Sequence, residues 1–467
     1  MKFIRRYPEI ILLTVAAILT RCWGLFTPAA VVFDEVYFKV YAGDYLTRSY
    51  YFDPHPPLGK LLLGGWAWLA HLNPAALTGS DPAVVLRVLP AIAGALIIPV
   101  FYAFLRTLGA SRRVATLGAA LLLLDNALLV ESRFILIDSM LILFGLAAVT
   151  CFLAARHRTG RARMALIASS AVLAGLSAST KWTGLTALGL IGFVWLTDQI
   201  RRPRHIAWKA RIFEALMLVL APALVYLAVF WIHFSLLTHT GQGDAFMSPR
   251  FQSTLIGSAT YDPAVHMSFW DKFIDLNKAM QQSEQTLKTA THPYGSKWTS
   301  WPLMVRPVYY WQGYTLANGT QGNIYLLGNP AVWWGILVII VSGVLASSRA
   351  FIRLKRYRFA LVFLATGYLM NYLPFSQIVR VMFLYHYFFA LIYSLAFAAI
   401  LLGALGDWMH DSPSTEHWKF SSPASRNLYV GVLTVAIISF IYFAPLSYGI
   451  PLSPSEIAGH MWLPTWR

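Results

Sequence analysis

Long apolar runs, separated by short polar segments, occupy most of the chain. A helix needs about 20 apolar residues to cross roughly 30 Å of hydrocarbon, and eleven runs approach that length. They predict eleven transmembrane helices near residues 7–26, 83–105, 114–131, 134–155, 164–180, 182–198, 211–236, 330–348, 359–375, 382–405 and 428–445. The first run is not a cleavable signal, because it contains Arg21 and leads to Thr27-Pro28 without a small-residue cleavage site. The pattern indicates an all-α polytopic membrane protein.

The amino-acid composition agrees with this prediction. Of the 467 residues, 57% are hydrophobic and 12% are charged, which excludes a water-soluble domain of this length. Glycine and proline follow no repeat and only two cysteines occur, so collagen-like and disulfide-scaffold proteins are excluded as well. Both cysteines, Cys22 and Cys151, lie inside apolar runs, and a structural disulfide is not expected.

The net charge of +17 is distributed as a membrane topology requires. Cytoplasmic loops carry an excess of Lys and Arg. With a cytoplasmic N-terminus, 22 of the 37 Lys and Arg lie in the cytoplasmic segments 1–6, 106–113, 156–163, 199–211, 349–358 and 406–427, and only 9 lie in the much longer segments 27–82 and 237–329. We therefore expect one transmembrane domain over residues 1–467, with the loops 27–82 and 237–329 and the tail 446–467 extracytoplasmic. Nucleic-acid binding is not predicted, because the basic residues follow the topology.

The first long loop begins with Phe33-Asp34-Glu35, a few residues after the first apolar run. Both carboxylates are expected at the outer membrane surface, near any lipid headgroup. Acidic residues there can complement the dipole of a helix N-terminus, or a carboxylate can act as a general base toward an acceptor hydroxyl. Tyrosines at every fourth position from 37 to 45 predict that a helix follows and lies on the membrane.

A proline-rich segment of the same loop contains Asp53, His55 and Lys60. Each proline disfavours helix at the residue before it, so a helix is expected to begin only at about residue 57 and to end at about residue 71. Its N-terminus, with Lys60 in or just after the first turn, is a candidate anion site. The alternative is a proline-initiated amphipathic helix from which Lys60 only extends toward solvent.

Two further groups of charged residues lie at the outer ends of predicted helices. Arg133 would be costly in hydrocarbon, by about 2.5–3.5 kcal/mol at mid-span and less near the ends, and it therefore needs a partner. A lipid-linked phosphate and Asp138 are the two candidates. Arg380 and His386 form a similar pair at the outer end of the tenth run.

The second long loop combines a helix signal with an aromatic segment. Ser268-x-x-Asp271 resembles a capping box and precedes an apolar stripe, which predicts a surface helix. The aromatic segment after it supplies stacking and hydrogen-bonding side chains at His292, Tyr294, Trp298 and Trp301. The chain contains no Cys/His cluster and no glycine-rich phosphate loop. Carboxylates near the bilayer could hold a divalent ion, but their spacing is not diagnostic, so neither a metal nor another cofactor is predicted.

Five blocks, in this order along the chain, resemble the protein O-mannosyltransferases, which are membrane glycosyltransferases of the GT-C class. The blocks are Phe33-Asp34-Glu35, His55-Pro56-Pro57-Leu58-Gly59-Lys60, Arg133 to Ser139, His292-Pro293-Tyr294 with the tryptophans after it, and Tyr385-His386-Tyr387. The resemblance spans most of the chain and implies a GT-C fold. It also implies transfer of mannose from a polyprenyl (dolichyl-type) phosphate mannose to Ser or Thr hydroxyls of exported protein, with inversion at C1 of the sugar.

The resemblance implies a role for each candidate residue. Direct displacement needs a base on the hydroxyl and stabilisation of the departing phosphate, without an enzyme nucleophile. Asp34 would be the base, and Glu35 would orient the acceptor or neighbouring side chains. The residues around the donor phosphate would be His55, Lys60 and Arg133, with Asp53, Asp138, Arg380 and His386 as further candidates. The acceptor would run beneath loop 237–329, against His292, Tyr294, Trp298 and Trp301.

Loop 237–329 differs from its counterpart in eukaryotic members of this family. Its 93 residues are too few for the soluble sugar-binding-like domain that those members insert. The chain therefore resembles a bacterial member, which favours the plasma membrane and a bacterial polyprenyl phosphate. The endoplasmic reticulum membrane is the alternative for a eukaryotic source. Expected partners are the lipid-linked donor and secreted or membrane protein acceptors, with the export machinery as a further candidate.

Two other functions stay open. A transporter would place charges at mid-span on broken helices related by an internal repeat, whereas these candidates lie at the outer surface and no repeat is found. A related GT-C enzyme with another lipid-phosphate sugar or another acceptor would share the architecture. Labelling of a Ser/Thr peptide from polyprenyl phosphate mannose by the purified protein would separate the three.

The topology is tested by a cysteine placed at Gly79, in loop 27–82. If this loop faces away from the cytoplasm, the Gly79→Cys variant reacts with an impermeant thiol reagent added outside intact cells. Labelling that occurs only after lysis would reverse the topology, and the site would then face the cytoplasm.

Overall fold

The computed structural model describes residues 8–79, 81–201, 208–286, 291–345, 354–408 and 420–467. The α-helices are α1 Pro8–Cys22, α2 Glu35–Thr47, α3 Leu58–Leu69, α4 Pro74–Thr78, α5 Val88–Thr107, α6 Arg112–Leu123, α7 Asn126–Arg133, α8 Asp138–Ala155, α9 Gly160–Thr180, α10 Leu185–Arg201, α11 Trp208–Leu236, α12 Pro249–Gln252, α13 Phe269–Thr286, α14 Pro330–Leu345, α15 Arg358–Tyr372, α16 Phe388–Leu405, α17 Pro423–Tyr448 and α18 Pro454–His460. The strands are β1 Val308–Thr315 and β2 Gln321–Leu326. The predicted cytoplasmic segments 1–6, 199–211, 349–358 and 406–427 lie wholly or partly outside the described residues.

A helix occupies each of the eleven apolar runs, which confirms the polytopic helical architecture. Within the described residues, eight helices are long and apolar enough to cross a membrane. Helices α6 and α7 are bent by 59° relative to each other and would make a ninth crossing if they form one span. Helix α1 has only 15 residues, and the apolar part of α14 ends at Gly343. Length and composition therefore do not establish the predicted count of eleven.

Small residues let α9 lie close to its neighbours. Ser177 donates a hydrogen bond from its hydroxyl to the Leu141 carbonyl of α8 at 3.0 Å. Toward α11, a Cβ atom at Gly175 would lie 2.8 Å from the Cα of Pro222, so only glycine fits there. Close backbone approach and hydrogen bonds of this kind hold helices together in lipid, where the hydrophobic effect gives no drive for association. The end of α9, and with it Lys181, is thereby fixed in the bundle.

Helix α16 is apolar on every face and lies in the centre of the bundle. In its most apolar stretch 89% of the residues are buried, as expected for a helix without a polar face. It packs against α6, α14 and α15. A short 3₁₀ turn, Leu384–Tyr387, precedes it and carries Tyr385 and His386.

A β-hairpin in loop 237–329 departs from the all-α prediction. Strands β1 and β2 pair antiparallel, with a register shift between Tyr309 and Trp311. The sequence does contain a signal for it, because aromatic and β-branched residues flank Asn318-Gly319, and Gly319 adopts a φ of 77°. Asn-Gly between such runs is a strong hairpin pattern. A purely helical interpretation of the chain overlooked it.

The C-terminal tail packs against this hairpin. After α17 ends at Tyr448, the backbone of Leu452 exchanges two hydrogen bonds with Gln321 of β2, at 2.8 and 3.0 Å. Farther along the tail, the indole Nε1 of Trp466 donates to the carbonyl of Met304 at 2.8 Å. Residues 449–467 and loop 237–329 therefore lie on the same side of the bundle.

Candidate active site

A cavity of about 380 Å³ lies where the first long loop meets α7, α8, the end of α9 and residues 370–389. Its charged, imidazole and amide lining consists of Asp34, His55, Glu131, Asp138, Lys181, Asn371, Arg380 and His386. Five of these were predicted from the sequence, namely Asp34, His55, Asp138, Arg380 and His386. Packing of separate segments brings them to one surface, which makes the cavity the candidate active site.

The carboxylate of Asp34 lines this cavity and does not cap the helix that follows it. Asp34 occupies the N-cap position of α2, but its side chain makes no cap hydrogen bond. Phe33, directly before it, has a φ of 49°. Burial raises the pKa of the Asp34 carboxyl to about 6, although the nearby ammonium of Lys181 opposes the shift. A partly buried carboxylate with such a pKa is suited to accept a proton near neutral pH.

Glu35 turns away from the cavity into a buried ion pair. Its oxygens accept hydrogen bonds from Nε and Nη2 of Arg87 at 2.7 and 2.8 Å, and neither side chain is exposed to solvent. The same carboxylate accepts the backbone N–H groups of Val32 and Ile135 at 2.8 and 2.9 Å. Glu35 is therefore bound to its neighbours and does not line the cavity. Of the two roles that the resemblance implied, this geometry favours the orientation of neighbouring side chains, which stays a prediction.

Lys60 is likewise an internal group and not part of the cavity lining. Its ammonium donates to Oδ1 of Asp53 at 2.9 Å and to the carbonyls of His55 and Pro56 at 2.6 and 2.9 Å. Three internal acceptors use all three ammonium protons. The extended chain before α3 thus supplies the partners of Lys60, and its role at the donor phosphate stays a prediction.

His55 lines the cavity, but as a neutral group. Burial lowers the pKa of His55 to about 3, against the opposing charge of Asp53. The imidazole can therefore donate a hydrogen bond to an anion without adding positive charge. Burial also disfavours the charge on Asp53, but the ammonium of Lys60, together with the backbone N–H of His55, holds the pKa of Asp53 below its ordinary value. Asp53 accepts a hydrogen bond from the backbone N–H of His55 and so fixes the loop. It is not among the residues that line the main cavity.

Arg133 is enclosed by backbone carbonyls and does not pair with Asp138, one of its two predicted partners. Its guanidinium donates to the carbonyl oxygens of Arg21, Trp23 and Gly24 at 3.0, 2.5 and 2.9 Å. It also lies 4.4 Å from the ring centre of Tyr448. The end of a helix leaves carbonyls without donors in the helix, and Arg133 supplies donors to the end of α1. Arg133 therefore has a structural role at this helix end, and its role at the donor phosphate stays a prediction.

Lys181 and Glu131 complete the charged lining of the cavity, although neither was predicted from the sequence. The ammonium of Lys181 lies 2.6 Å from Oδ2 of Asp138, and its side chain stays 13% exposed. It is also 5.5 Å from the ring centre of Tyr385. Glu131 accepts a hydrogen bond from the hydroxyl of Tyr310 at 2.7 Å. A signal for Lys181 was present, since it separates two apolar runs and a cation near hydrocarbon marks a functional site by default.

The four aromatic residues predicted for acceptor contact have different surroundings. Trp301 is fully buried, with its ring stacked on that of His386 at 6.0 Å and 10°. Trp301 supports His386 and exposes no surface here, so its contact with an acceptor stays a prediction. Trp298 packs edge-on against a neighbouring tyrosine of α15. His292 is exposed and Tyr294 is partly exposed, so both keep the capacity to meet an acceptor.

The cavity combines a basic carboxylate with positive charge. Lys181 and Arg380 contribute cations to the same lining as Asp34. A carboxylate can remove a proton from a hydroxyl, and fixed cations can stabilise a departing anion. In the part of the chain that the structure describes, no group of three or more His, Cys, Asp or Glu side chains is arranged to hold a metal ion.

The ion pair of Glu35 and Arg87 leads to a prediction about stability. Glu35→Gln should destabilise the fold by about 3–5 kcal/mol, because Arg87 keeps a buried charge without its counterion. Adding Arg87→Gln should recover part of the loss, since no uncompensated charge then remains. Thermal unfolding in detergent micelles measures both effects, with Glu456→Gln at an exposed helix start as the control. An unchanged unfolding temperature for Glu35→Gln would contradict the pairing.

Comparison with known proteins identifies relatives of the chain. Residues 11–238 match the family model of dolichyl-phosphate-mannose-protein mannosyltransferase, and residues 269–466 match that of the C-terminal four-TMM region of protein O-mannosyltransferase. Dolichyl-phosphate-mannose–protein mannosyltransferase 4 of Candida albicans is 31% identical over 342 residues, which are 68% of this chain and 43% of the relative. Protein O-mannosyltransferase 1 of Drosophila pseudoobscura is 35% identical over 258 residues, 52% of this chain and 28% of the relative. The chain thus spans less than half the length of these curated relatives.

A solved structure has the same architecture. The S. cerevisiae protein O-mannosyltransferase Pmt1-Pmt2 complex, bound to its sugar donor, matches with a TM-score of 0.85 and 20% identity, over 98% of this chain and 92% of the matched chain. An oligosaccharyltransferase of Archaeoglobus fulgidus matches with a TM-score of 0.56 and 15% identity, over 99% of this chain and 58% of that one. These likenesses show the fold, which is the GT-C architecture of membrane glycosyltransferases. With both family models matched along the chain, it belongs to the protein O-mannosyltransferase family.

Proposed function

We propose that the chain transfers mannose from polyprenyl phosphate mannose to Ser or Thr hydroxyls of exported proteins, with inversion at C1. The observation that carries the proposal is the cavity that Asp34 shares with Lys181 and Arg380. The names of the relatives support the same reaction class, since they are protein mannosyltransferases. The resemblance of the sequence blocks adds the polyprenyl donor.

In the proposed reaction the acceptor oxygen attacks C1 of mannose while the bond from C1 to the phosphate oxygen breaks. The hydroxyl proton passes to Asp34, and the bonding electron pair leaves with the phosphate. Lys181 and Arg380 stabilise the charge on the departing polyprenyl phosphate, and the neutral imidazole of His55 adds a hydrogen bond. Direct displacement inverts the anomeric carbon and requires neither an enzyme nucleophile nor a cofactor.

The rest of the cavity suits a lipid-linked donor. Asp138 holds the ammonium of Lys181 at 2.6 Å and so directs it toward the cavity. Apolar side chains of α8 and α16 also line the cavity, at Leu141, Ile142, Phe388 and Phe389. An isoprenoid chain next to the phosphate would bury its first units against this apolar wall.

The proposed setting is extracytoplasmic. The chain is a multi-pass membrane protein by its helices and its relatives. The Lys/Arg distribution supports a cytoplasmic N-terminus and an outward-facing site. The short loop 237–329 favours the plasma membrane, with the endoplasmic reticulum membrane as the alternative. Acceptors would then be secreted or membrane proteins, met during or after export, with the export machinery as a candidate partner.

The role of Asp34 as the base leads to a prediction about rate and pH. Asp34→Asn should lower mannosyl transfer by about 10²–10⁴-fold and leave donor binding nearly unchanged, because the amide keeps the shape but cannot take a proton. In the wild type, transfer should fall as the pH drops below about 6, where the Asp34 carboxyl becomes protonated. Initial rates on a Ser/Thr peptide across pH, paired with donor binding, measure both.

The matched control for this prediction is Asp262→Asn, which alters an exposed aspartate in the large loop and should leave both readouts unchanged. Near-normal transfer by Asp34→Asn would assign the base to another carboxylate. Loss of donor binding as well would make Asp34 a structural group. Wild-type protein that labels peptide only from a different lipid-phosphate sugar would replace mannose as the proposed substrate.

Two lysines should behave differently. Lys181→Gln should weaken apparent donor affinity by roughly 10- to 100-fold, the range for a charge-assisted hydrogen bond. Lys60→Gln should instead lower the unfolding temperature, because Lys60 satisfies three internal acceptors. Donor KM and thermal unfolding of both variants provide the test. Wild-type donor affinity in Lys181→Gln would exclude Lys181 from the phosphate site.

A further inference from the structure

The side chain of Tyr310 connects the β-hairpin to two parts of the candidate active site. Its hydroxyl donates to Glu131, a residue of the cavity wall, at 2.7 Å. Its ring lies flat on that of Phe33, with centroids 4.2 Å apart and planes 7° apart. Tyr310 is itself buried. One residue of the large loop therefore contacts both the cavity wall and the residue that precedes Asp34.

Phe33 needs support from its surroundings. Its φ of 49° lies in the left-handed region, which bulky residues other than glycine rarely adopt. Such a conformation persists only where neighbouring contacts hold it. The face of Phe33 is held by Tyr310, and its edge meets Tyr385 at 6.4 Å. If the stack were lost, the backbone at Phe33 could relax to negative φ and redirect the carboxylate of Asp34.

Strand β1 of the hairpin is irregular at Tyr310. The pairing of β1 with β2 shifts register between Tyr309 and Trp311, so Tyr310 has no partner in the register. The extra residue of a bulge is a common means of directing a side chain toward a site. Tyr310 thus combines three features. It is unpaired in β1, its hydroxyl binds Glu131 in the cavity wall, and its ring stacks on Phe33.

We propose that Tyr310 is a positioning residue for the base: through the stack on Phe33 it holds the Asp34 carboxylate in place, and its bond to Glu131 fixes the ring. The proposal rests on the proposed function of Asp34. Tyr310 belongs to loop 237–329, against which the acceptor is expected. A shift of the hairpin on acceptor binding would therefore be transmitted to the base, and alignment of the base would depend on the position of the hairpin.

The test compares Tyr310→Ala, Tyr310→Phe and Phe33→Leu with the wild type. Tyr310→Ala and Phe33→Leu both remove the stack and should lower kcat by roughly 10- to 100-fold, as expected for a misplaced catalytic group. Tyr310→Phe keeps the ring and loses only the hydroxyl bond, so its loss should be smaller. Donor KM should stay within about twofold, because no group at the phosphate is altered.

The pH profile separates positioning from simple damage to the fold. Without the stack Asp34 becomes more hydrated, so the acid limb of the transfer rate should move to lower pH. Partial unfolding would lower the rate equally at every pH. Tyr314→Ala is the matched control, since this tyrosine of the same strand is 94% exposed, and it should match the wild type. An unmoved acid limb in both Tyr310→Ala and Phe33→Leu would overturn the proposal.

A second readout does not depend on mannosyl transfer. In a background with Cys22 and Cys151 replaced by alanine, Asp34→Cys places a thiol at the base position. Adding Tyr310→Ala should raise its rate of reaction with a small thiol reagent by roughly 10-fold, because burial suppresses the thiolate. Equal rates with and without Tyr310→Ala would refute the positioning role. Absence of transfer by the wild type would instead refute only the proposed function, and the thiol measurement would still decide the inference.

Discussion

The ion pair between Glu35 and Arg87 is the interaction on which the site depends. A buried pair is tolerated only when every remaining donor and acceptor is satisfied, because both charges lose their hydration. Glu35 meets this requirement with two backbone N–H groups. The guanidinium of Arg87 also donates to three carbonyls of the segment after α1, at Leu25, Pro28 and Ala30. The loop that presents Asp34 therefore has one arrangement in which all of these groups are paired.

Two other cations of the sequence blocks also pair with backbone carbonyls. Lys60 binds the carbonyls of the proline-rich segment, and Arg133 binds those at the end of α1. Irregular backbone next to hydrocarbon has no water to satisfy its carbonyls. Buried cations provide the missing donors and fix the non-helical segments between the spans. The blocks that identify the family thus contain scaffold residues as well as residues of the cavity.

Residues of the cavity come from rigid helix ends. Lys181 follows the last turn of α9, Asp138 begins α8, and His386 precedes α16. Close packing through small residues sets the distances between these ends, and displacement by 1 Å can cost about 10²-fold in rate. Tyr310 of the hairpin contacts the cavity wall through Glu131. The geometry of the candidate site is therefore a consequence of helix packing in the bundle, with the first long loop holding Asp34.

The sequence by itself determined the helical membrane architecture, because the thickness of hydrocarbon sets the length of an apolar run. It also determined the family through the five blocks, and it named five of the residues that line the cavity. It could not decide which cation faces the cavity, because a buried charge takes whichever carbonyl or carboxylate the packing places beside it. Only the tertiary structure could show which of these side chains line the cavity. Lys181 and Glu131 do, whereas Glu35, Lys60, Arg133 and Trp301 are buried outside its lining. Their partners are distant in sequence, and linear spacing carries no information about such contacts.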